Sequence, residues 1–142
     1  MFLPIIGSEY PEKVSLLLDS AQRSVDILMY DWRWLEGRPG NTLQRFNLAL
    51  LAAQKRGVQI RAVLNTDLLL PTLNKLGIQA RVLKDKRVLH SKMLLIDERV
   101  LVIGSHNLTR NAFGTNLEAS IAVILPENEL RFQQFFNNLW GF

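Results

Sequence analysis

The chain has 142 residues and no cysteine, which excludes disulfide bridges, thiolate zinc sites and cysteine nucleophiles and leaves the redox compartment open. Only two histidines are present, which leaves little for a multi-histidine metal site, and no metal or other cofactor is expected. Long apolar runs are missing too. The longest, Leu48 to Ala53, falls far short of the ~18 residues that suggest a membrane span. The opening stretch Met1 to Gly7 carries no basic leader and is interrupted by Pro4, so it does not look like a secretory signal and a cytoplasmic location is expected. Internal repeats, low-complexity stretches and linkers are absent as well.

What remains is the balance of an ordinary globular domain. Apolar residues make up 48% and charged residues 21%, enough to close a core, and the length fits one domain spanning residues 1–142. Seventeen Lys and Arg against thirteen Asp and Glu give a net charge of +4 and a pI near 9.8. That balance tilts the chain toward polyanions such as nucleic acid or anionic lipid.

Residues 11–22 place Val14, Leu17, Leu18 and Ala21 at helical spacing, and Val25 to Tyr30 reads as a buried strand. Residues 31–40 hold Trp32, Trp34, Gly37, Pro39 and Gly40, the composition of a surface loop. Asn41 or Thr42 caps a helix that ends near Gly57. A strand over Val58–Leu64, a short helix over Pro71–Leu76 closed by Gly77, and a strand over Ile78–Leu83 follow. Lys92–Ile96 and Val100–Ile103 form a hairpin around Asp97, Glu98 and Arg99. Leu117–Leu125 is a further strand, and Pro126 opens a closing helix with Leu130, Phe132, Phe135, Phe136 and Leu139 largely on one side. Strands separated by helices predict an α/β fold with a mixed, mostly parallel sheet and helices on both faces.

The informative segment is His90, Ser91, Lys92 and on to Asp97, followed six residues later by Gly104, Ser105, His106 and Asn107. Side chains two apart on an extended strand share a face, so His90 pairs with Lys92 and Ser105 with Asn107, while Asp97 points the other way. An imidazole beside an ammonium, a hydroxyl and a carboxamide suits a phosphodiester: the ring attacks phosphorus and the other groups hold the nonbridging oxygens. Free imidazole titrates at about pH 6.5, so a neutral ring is available near neutrality. Asp97 sits at the hairpin corner, where its work is to cap the turn. By the same parity His106 turns away from Ser105 and Asn107, as a packed or surface histidine does.

The pattern HxKxxxxD, six residues, then GSxN resembles the signature of the phospholipase D superfamily, and every fixed position is present. The likeness extends over nearly the whole chain, and the small, single-motif bacterial endonucleases of that family are the nearest in size. The resemblance implies that His90 is a nucleophile forming a phosphohistidine, that Lys92, Ser105 and Asn107 bind phosphate oxygens, and that Glu118 sits behind a catalytic imidazole. Asp97 and Gly104 are then structural letters of the motif. Glu118 also reads as a structural carboxylate paired with an arginine or the backbone.

In-line displacement puts attacking and leaving atoms on opposite sides of phosphorus, so one imidazole cannot be both nucleophile and acid in the first step. The resemblance implies that in a single-motif member a twofold-related chain supplies the second donor, so a homodimer is expected; His106, the rival donor within one chain, faces away by parity. Trp32 and Trp34 read equally as stacking platforms for bases and as a plug at the core edge, with Arg33 and Arg38 beside them. Lys84, Lys86 and Arg87 lead into the motif and suit a polyanion, although short basic runs are commonly just solvated. Three functions compete: a metal-independent endonuclease on DNA or RNA, a lipid phosphodiesterase with Trp32, Trp34 and Leu35 dipping into a membrane surface, and a nucleic-acid-binding module that hydrolyses little.

Overall fold

The computed structural model describes residues 2–84 and 86–141. Strand β2 (Ser24–Met29) shows how the sheet is built: Val25, Ile27 and Met29 pack into one core layer and Leu28 into the other, because successive side chains leave a strand on opposite faces. Helix α2 (Thr42–Lys55) and helix α3 (Leu70–Lys75) then carry the chain to β3 (Gln59–Leu64) and β4 (Gln79–Val82). The Asn41 side chain accepts hydrogen bonds from the N–H groups of Leu43 and Gln44, satisfying donors that a helix start leaves open. Helix α1 (Tyr10–Asp19) precedes β2, and β5 (Met93–Ile96), β6 (Val100–Gly104), β7 (Ala119–Ile124) and helix α4 (Arg131–Trp140) complete the order. The closing helix begins at Arg131, after a turn in which the Glu129 N–H donates to the Pro126 carbonyl. Among the described residues no helix is long and apolar enough to cross a membrane.

The mixed α/β architecture is as expected, with helices on both faces, but the sheet's balance is not. Its strand order is β1-β7-β6-β5-β2-β3-β4, where β1 is Phe2–Ile6. Only β2–β3 and β3–β4 are parallel, and the other pairings are antiparallel. A helix crossover lets consecutive strands lie parallel as neighbours, and β2–β3 and β3–β4 are the neighbouring pairs joined by one. The expectation of a mostly parallel sheet extended that unit to a C-terminal half built from a hairpin. The strand β1 was not anticipated, because Pro4 interrupts its pattern. Pro4 is tolerated there since β1 is an edge strand, where a missing N–H costs little.

Helices α1, α2 and α3 cover one face through Val14, Leu18, Phe46, Leu50 and Leu73, all fully buried or nearly so. On the other face α4 inserts Phe136 among Leu28, Val63, Leu95 and Leu101. Each such side chain contributes roughly 1.5–3 kcal/mol by leaving water. The buried Asp26 and Arg61 pair through two hydrogen bonds of 2.8 and 2.9 Å, Gln133 of α4 donates to Asp26, and the Arg61 guanidinium lies 4.9 Å from the Phe136 ring centre. These contacts fix the helix on the sheet. Phe135, expected on the same side as Phe136, is 44% exposed, since adjacent helical residues diverge by about 100°.

The strand directions have one consequence for function. Met93 at the start of β5 pairs with Leu28 near the end of β2 and with Ile103 near the end of β6, while Gly104 pairs with Ser120 and Ala119 with Ile6. The carboxyl ends of β1, β2 and β6 and the amino ends of β5 and β7 therefore meet at one edge of the sheet. Every letter of the motif except Asp97 lies at that edge.

Candidate active site

His90 and Lys92 stand on an extended segment just before β5 rather than within it. Asn65, one residue past β3, holds this segment: its amide accepts from the Leu89 N–H at 2.8 Å and donates to the Leu89 carbonyl at 2.6 Å and to the Tyr30 carbonyl at 3.1 Å. Leu89 is buried and acts as the anchor, so His90 emerges from a fixed point and is itself exposed. The Lys92 ammonium lies 3.4 Å from both ring nitrogens of His90 and donates to the His90 carbonyl at 2.9 Å. Tyr30 meets the His90 ring edge-on at 5.1 Å between centres and lies 5.3 Å from the Lys92 ammonium. The imidazole and ammonium thus share one face, as strand parity predicts.

On the neighbouring strand end, Gly104 has no room for a side chain. A β-carbon there would sit 2.4 Å from Ser120 Cα and 2.5 Å from the Ala119 carbonyl oxygen. This close approach lets Ser105 reach across to β7, where its hydroxyl donates to Glu118 at 2.6 Å and accepts from the Ala119 N–H at 3.0 Å. Glu118 also accepts from the Asn116 amide at 3.0 Å. Within one chain, Glu118 therefore grips Ser105 and Asn116, and among the described residues it makes no hydrogen bond to an imidazole. Asn107 is turned by the Asp31 N–H, which donates to its Oδ1 at 3.1 Å, leaving the amide Nδ2 without a partner among the described residues. Lys92 and Asn107 thus have donors to spare, whereas the Ser105 proton is committed to Glu118.

His106 is packed, as expected. It is 1% exposed, stacks on Tyr10 at 4.6 Å, and contacts the Gly7 carbonyl through Nε2 at 2.8 Å and the Ser120 hydroxyl through Nδ1 at 2.7 Å. The Gly7 oxygen can only accept, so the proton belongs on Nε2. Burial pushes this ring below its ordinary value, with the Gly7 carbonyl and the Glu118 charge pulling the other way. Asp97 lies at the far end of the hairpin. Its carboxylate accepts from the N–H groups of Gln22, Arg23 and Ser24 at 2.7 to 3.2 Å. It therefore secures the α1–β2 connection instead of capping its own turn. Partial burial raises its carboxyl, but the three N–H groups and the Arg23 charge outweigh this and hold it below the usual carboxylate range.

The loop residues separate clearly. Trp32 is buried and its ring N–H donates to Asn47 of α2 at 2.9 Å, so it is a core plug and offers no stacking face. Trp34 and Leu35 are partly buried against the same core, and Trp34 keeps part of its surface on the grooves beside it. A groove of about 610 Å³ beside His90 is lined by Tyr30, Arg33, Leu68, Lys86, Arg87 and Val88 among others. Arg33 is exposed and ion-paired with Asp31 at 2.9 Å. Arg38 and Lys84 are exposed as well. Sequence reasoning missed Tyr30, Asp31 and Asn65, although each lies just beyond the carboxyl end of a parallel strand, where open α/β sheets place their sites.

The family described as "Cardiolipin synthase, PLD-like domain" matches residues 14–140. The chain belongs to the phospholipase D superfamily. Members of this superfamily are phosphodiesterases. The zebrafish (Danio rerio) protein named mitochondrial cardiolipin hydrolase is 33% identical over 128 residues, covering 85% of this chain and 52% of that protein; the chain thus spans about half the length of this relative. In fold it is similar to Nuc of Salmonella typhimurium, a phospholipase D family member, with a TM-score of 0.81, 22% identity and coverage of 99% and 95% of the two chains. NucT from Helicobacter pylori gives a TM-score of 0.74 at 19% identity, with 99% and 97% covered.

Proposed function

We propose that this superfamily member hydrolyses phosphodiesters of nucleic acid without a metal, through a phosphohistidine at a site completed by a second copy of the chain. The observation that carries the reading is the exposed His90 ring with the Lys92 ammonium 3.4 Å from both its nitrogens, beside an Asn107 amide already turned by Asp31. A His90 ring nitrogen attacks phosphorus as the ester P–O bond opposite it breaks. Lys92 and the Asn107 Nδ2 neutralise the nonbridging oxygens, where fixed donors act most strongly. The leaving oxygen needs a proton from the far side of phosphorus, and the partner's His90 supplies it. That same ring then takes a proton from water, which displaces phosphate from the first His90 and restores both.

Glu118 fits this scheme as a positioning group. In its own chain it anchors Ser105, and across a twofold axis its carboxylate is available to the partner's His90. The cations Arg33, Lys86 and Arg87 beside the site, with the net charge of +4, favour a polyanionic substrate over an isolated ester, and a cytoplasmic location goes with that substrate. A lipid phosphodiesterase is the second reading. It is favoured by Leu68 and Val88, 67% and 68% exposed in the groove wall, and by the name of the zebrafish relative. The test is cleavage in EDTA of plasmid DNA, single-stranded DNA and RNA, set against cardiolipin vesicles. Nucleic acid cleavage that disappears in His90→Ala supports the proposal. Turnover of the lipid alone selects the second reading, and activity that survives His90→Ala rejects both.

A further inference from the structure

A second groove of about 900 Å³ opens on the other side of Asp31 and Arg33, bounded by Asn107, Thr109, Arg110 and Asn116. It shares Asp31, Arg33, Leu68 and Leu69 with the groove beside His90, so the two adjoin. The walls of this half are set by backbone pairing. Trp32 bridges Leu108, the Arg33 N–H donates to the Leu108 carbonyl at 3.0 Å, and the Leu108 N–H donates to the Asp31 carbonyl at 3.1 Å. Arg33 and Arg110 are thereby carried on two segments zipped to each other.

The turn bearing Arg110 is also built in advance. The Thr109 hydroxyl accepts from the Ala112 N–H, the Asn111 carbonyl accepts from Asn116, and Ala112 and Phe113 are buried beneath. The Arg110 side chain is exposed and has no ion pair among the described residues. Among the described residues Asp31 contributes the sole carboxylate lining this half, and Arg33 pairs with it. A guanidinium carried on a fixed turn and lining the same groove as an amide poised for a phosphate oxygen is suited to a second phosphate group.

We infer that Arg110, with Arg33 opposite, forms a subsite for the phosphate that flanks the scissile one in a single strand of nucleic acid. This deepens the proposed function and rests on it. Thr109, Asn111, Thr115 and Asn116 along the wall favour a sugar-phosphate backbone over acyl chains. The subsite adds no chemistry; it raises affinity for a chain of phosphodiesters and sets its register over His90.

The test compares Arg110→Ala with wild type on four probes, the fourth being vesicles of a two-phosphate lipid. Binding of a labelled oligothymidylate to each protein in the His90→Ala background should show a salt slope lower by about 0.7, the change for one lost single-strand phosphate contact. Turnover of a thymidine trinucleotide should fall roughly tenfold in kcat/KM, mainly through KM. Bis(p-nitrophenyl) phosphate, which has one phosphodiester, should be cleaved at an unchanged rate. Arg110→Lys should restore most of the slope, and Lys55→Ala, an exposed cation on α2 away from both grooves, should leave it unaltered. An unchanged slope, or an equal loss on the single ester, overturns the subsite. A loss confined to a two-phosphate lipid in vesicles overturns nucleic acid as its ligand. If wild type cleaves none of these esters, the catalytic reading fails while the salt slope still decides the subsite.

Discussion

The two ends of the β5–β6 hairpin are made by the same two strands, yet they are built for opposite purposes. At the corner, Asp97 and Glu98 adopt left-handed backbone angles, φ 54° and 59°. This costs roughly 1–2 kcal/mol per residue for side chains other than glycine. The Asp97 carboxylate offsets that cost with three backbone hydrogen bonds to residues 22–24. At the open end, His90 is exposed and Lys92 and Asn107 keep unused donors. From Lys92 to Asp97 an extended chain spans about 17 Å, far beyond the reach of a side chain. Under the proposed function the motif's histidine and lysine belong to chemistry, while its aspartate holds the α1–β2 connection, even though all three occupy one short stretch of sequence.

This contrast can be broken most directly by paired substitutions. Loss of His90 should lower phosphodiester hydrolysis by at least about 10³-fold, with the thermal midpoint within a degree or two of wild type because the ring is exposed. Asp97→Ala should do the reverse, leaving activity per folded molecule near wild type. If both substitutions abolish hydrolysis in stably folded protein, the division of labour is wrong.

Gly104 joins the two regions, since it is a strand residue that sets the position of Ser105. Gly104→Ala should destabilise the fold by about 3 kcal/mol through overpacking against β7, and denaturant unfolding will measure it. A neutral result would mean that the contact with Ser120 relaxes freely. Asp97→Ala should cost about 2 kcal/mol for the lost charge-assisted bonds, and the remaining stability should become less sensitive to acid. The sign follows from its depressed carboxyl: the contribution is complete above the unfolded value near 4 and is lost as pH falls through the lower folded value.

The smallest effect is expected from His106, the packed counterpart of His90. Its folded value lies below the unfolded one of about 6.5, so the unfolded chain binds more protons in the window between them. Stability should be full above that window and decline as pH falls through it. Urea midpoints at several pH values will show this, and His106→Gln should flatten the dependence.

Much of this organisation is legible in the chain because it is local. Strand parity placed Lys92 beside His90 and turned His106 away from Ser105 and Asn107, and the Asn41 cap and the hairpin followed from short-range chemistry. The parts that were not legible depend on distant partners. Trp32 reads equally as a platform and as a core plug until Asn47 of α2 satisfies its ring N–H. Tyr30, Asn65 and Leu89 come together only when β2, β3 and the segment before β5 share an edge. Strand direction in the C-terminal half depended on where β5 docked, and no periodicity encodes that.

The central claim is that each chain supplies half a site, and subunit mixing tests it most directly. Wild-type chains are refolded together with an equal amount of His90→Ala chains, and nuclease activity is measured per wild-type chain. If two His90 rings act on one phosphate, half of the wild-type chains are paired with a dead partner, and activity per wild-type chain should drop to about one half. An unchanged value, from chains that sedimentation shows to have exchanged, would contradict the shared site.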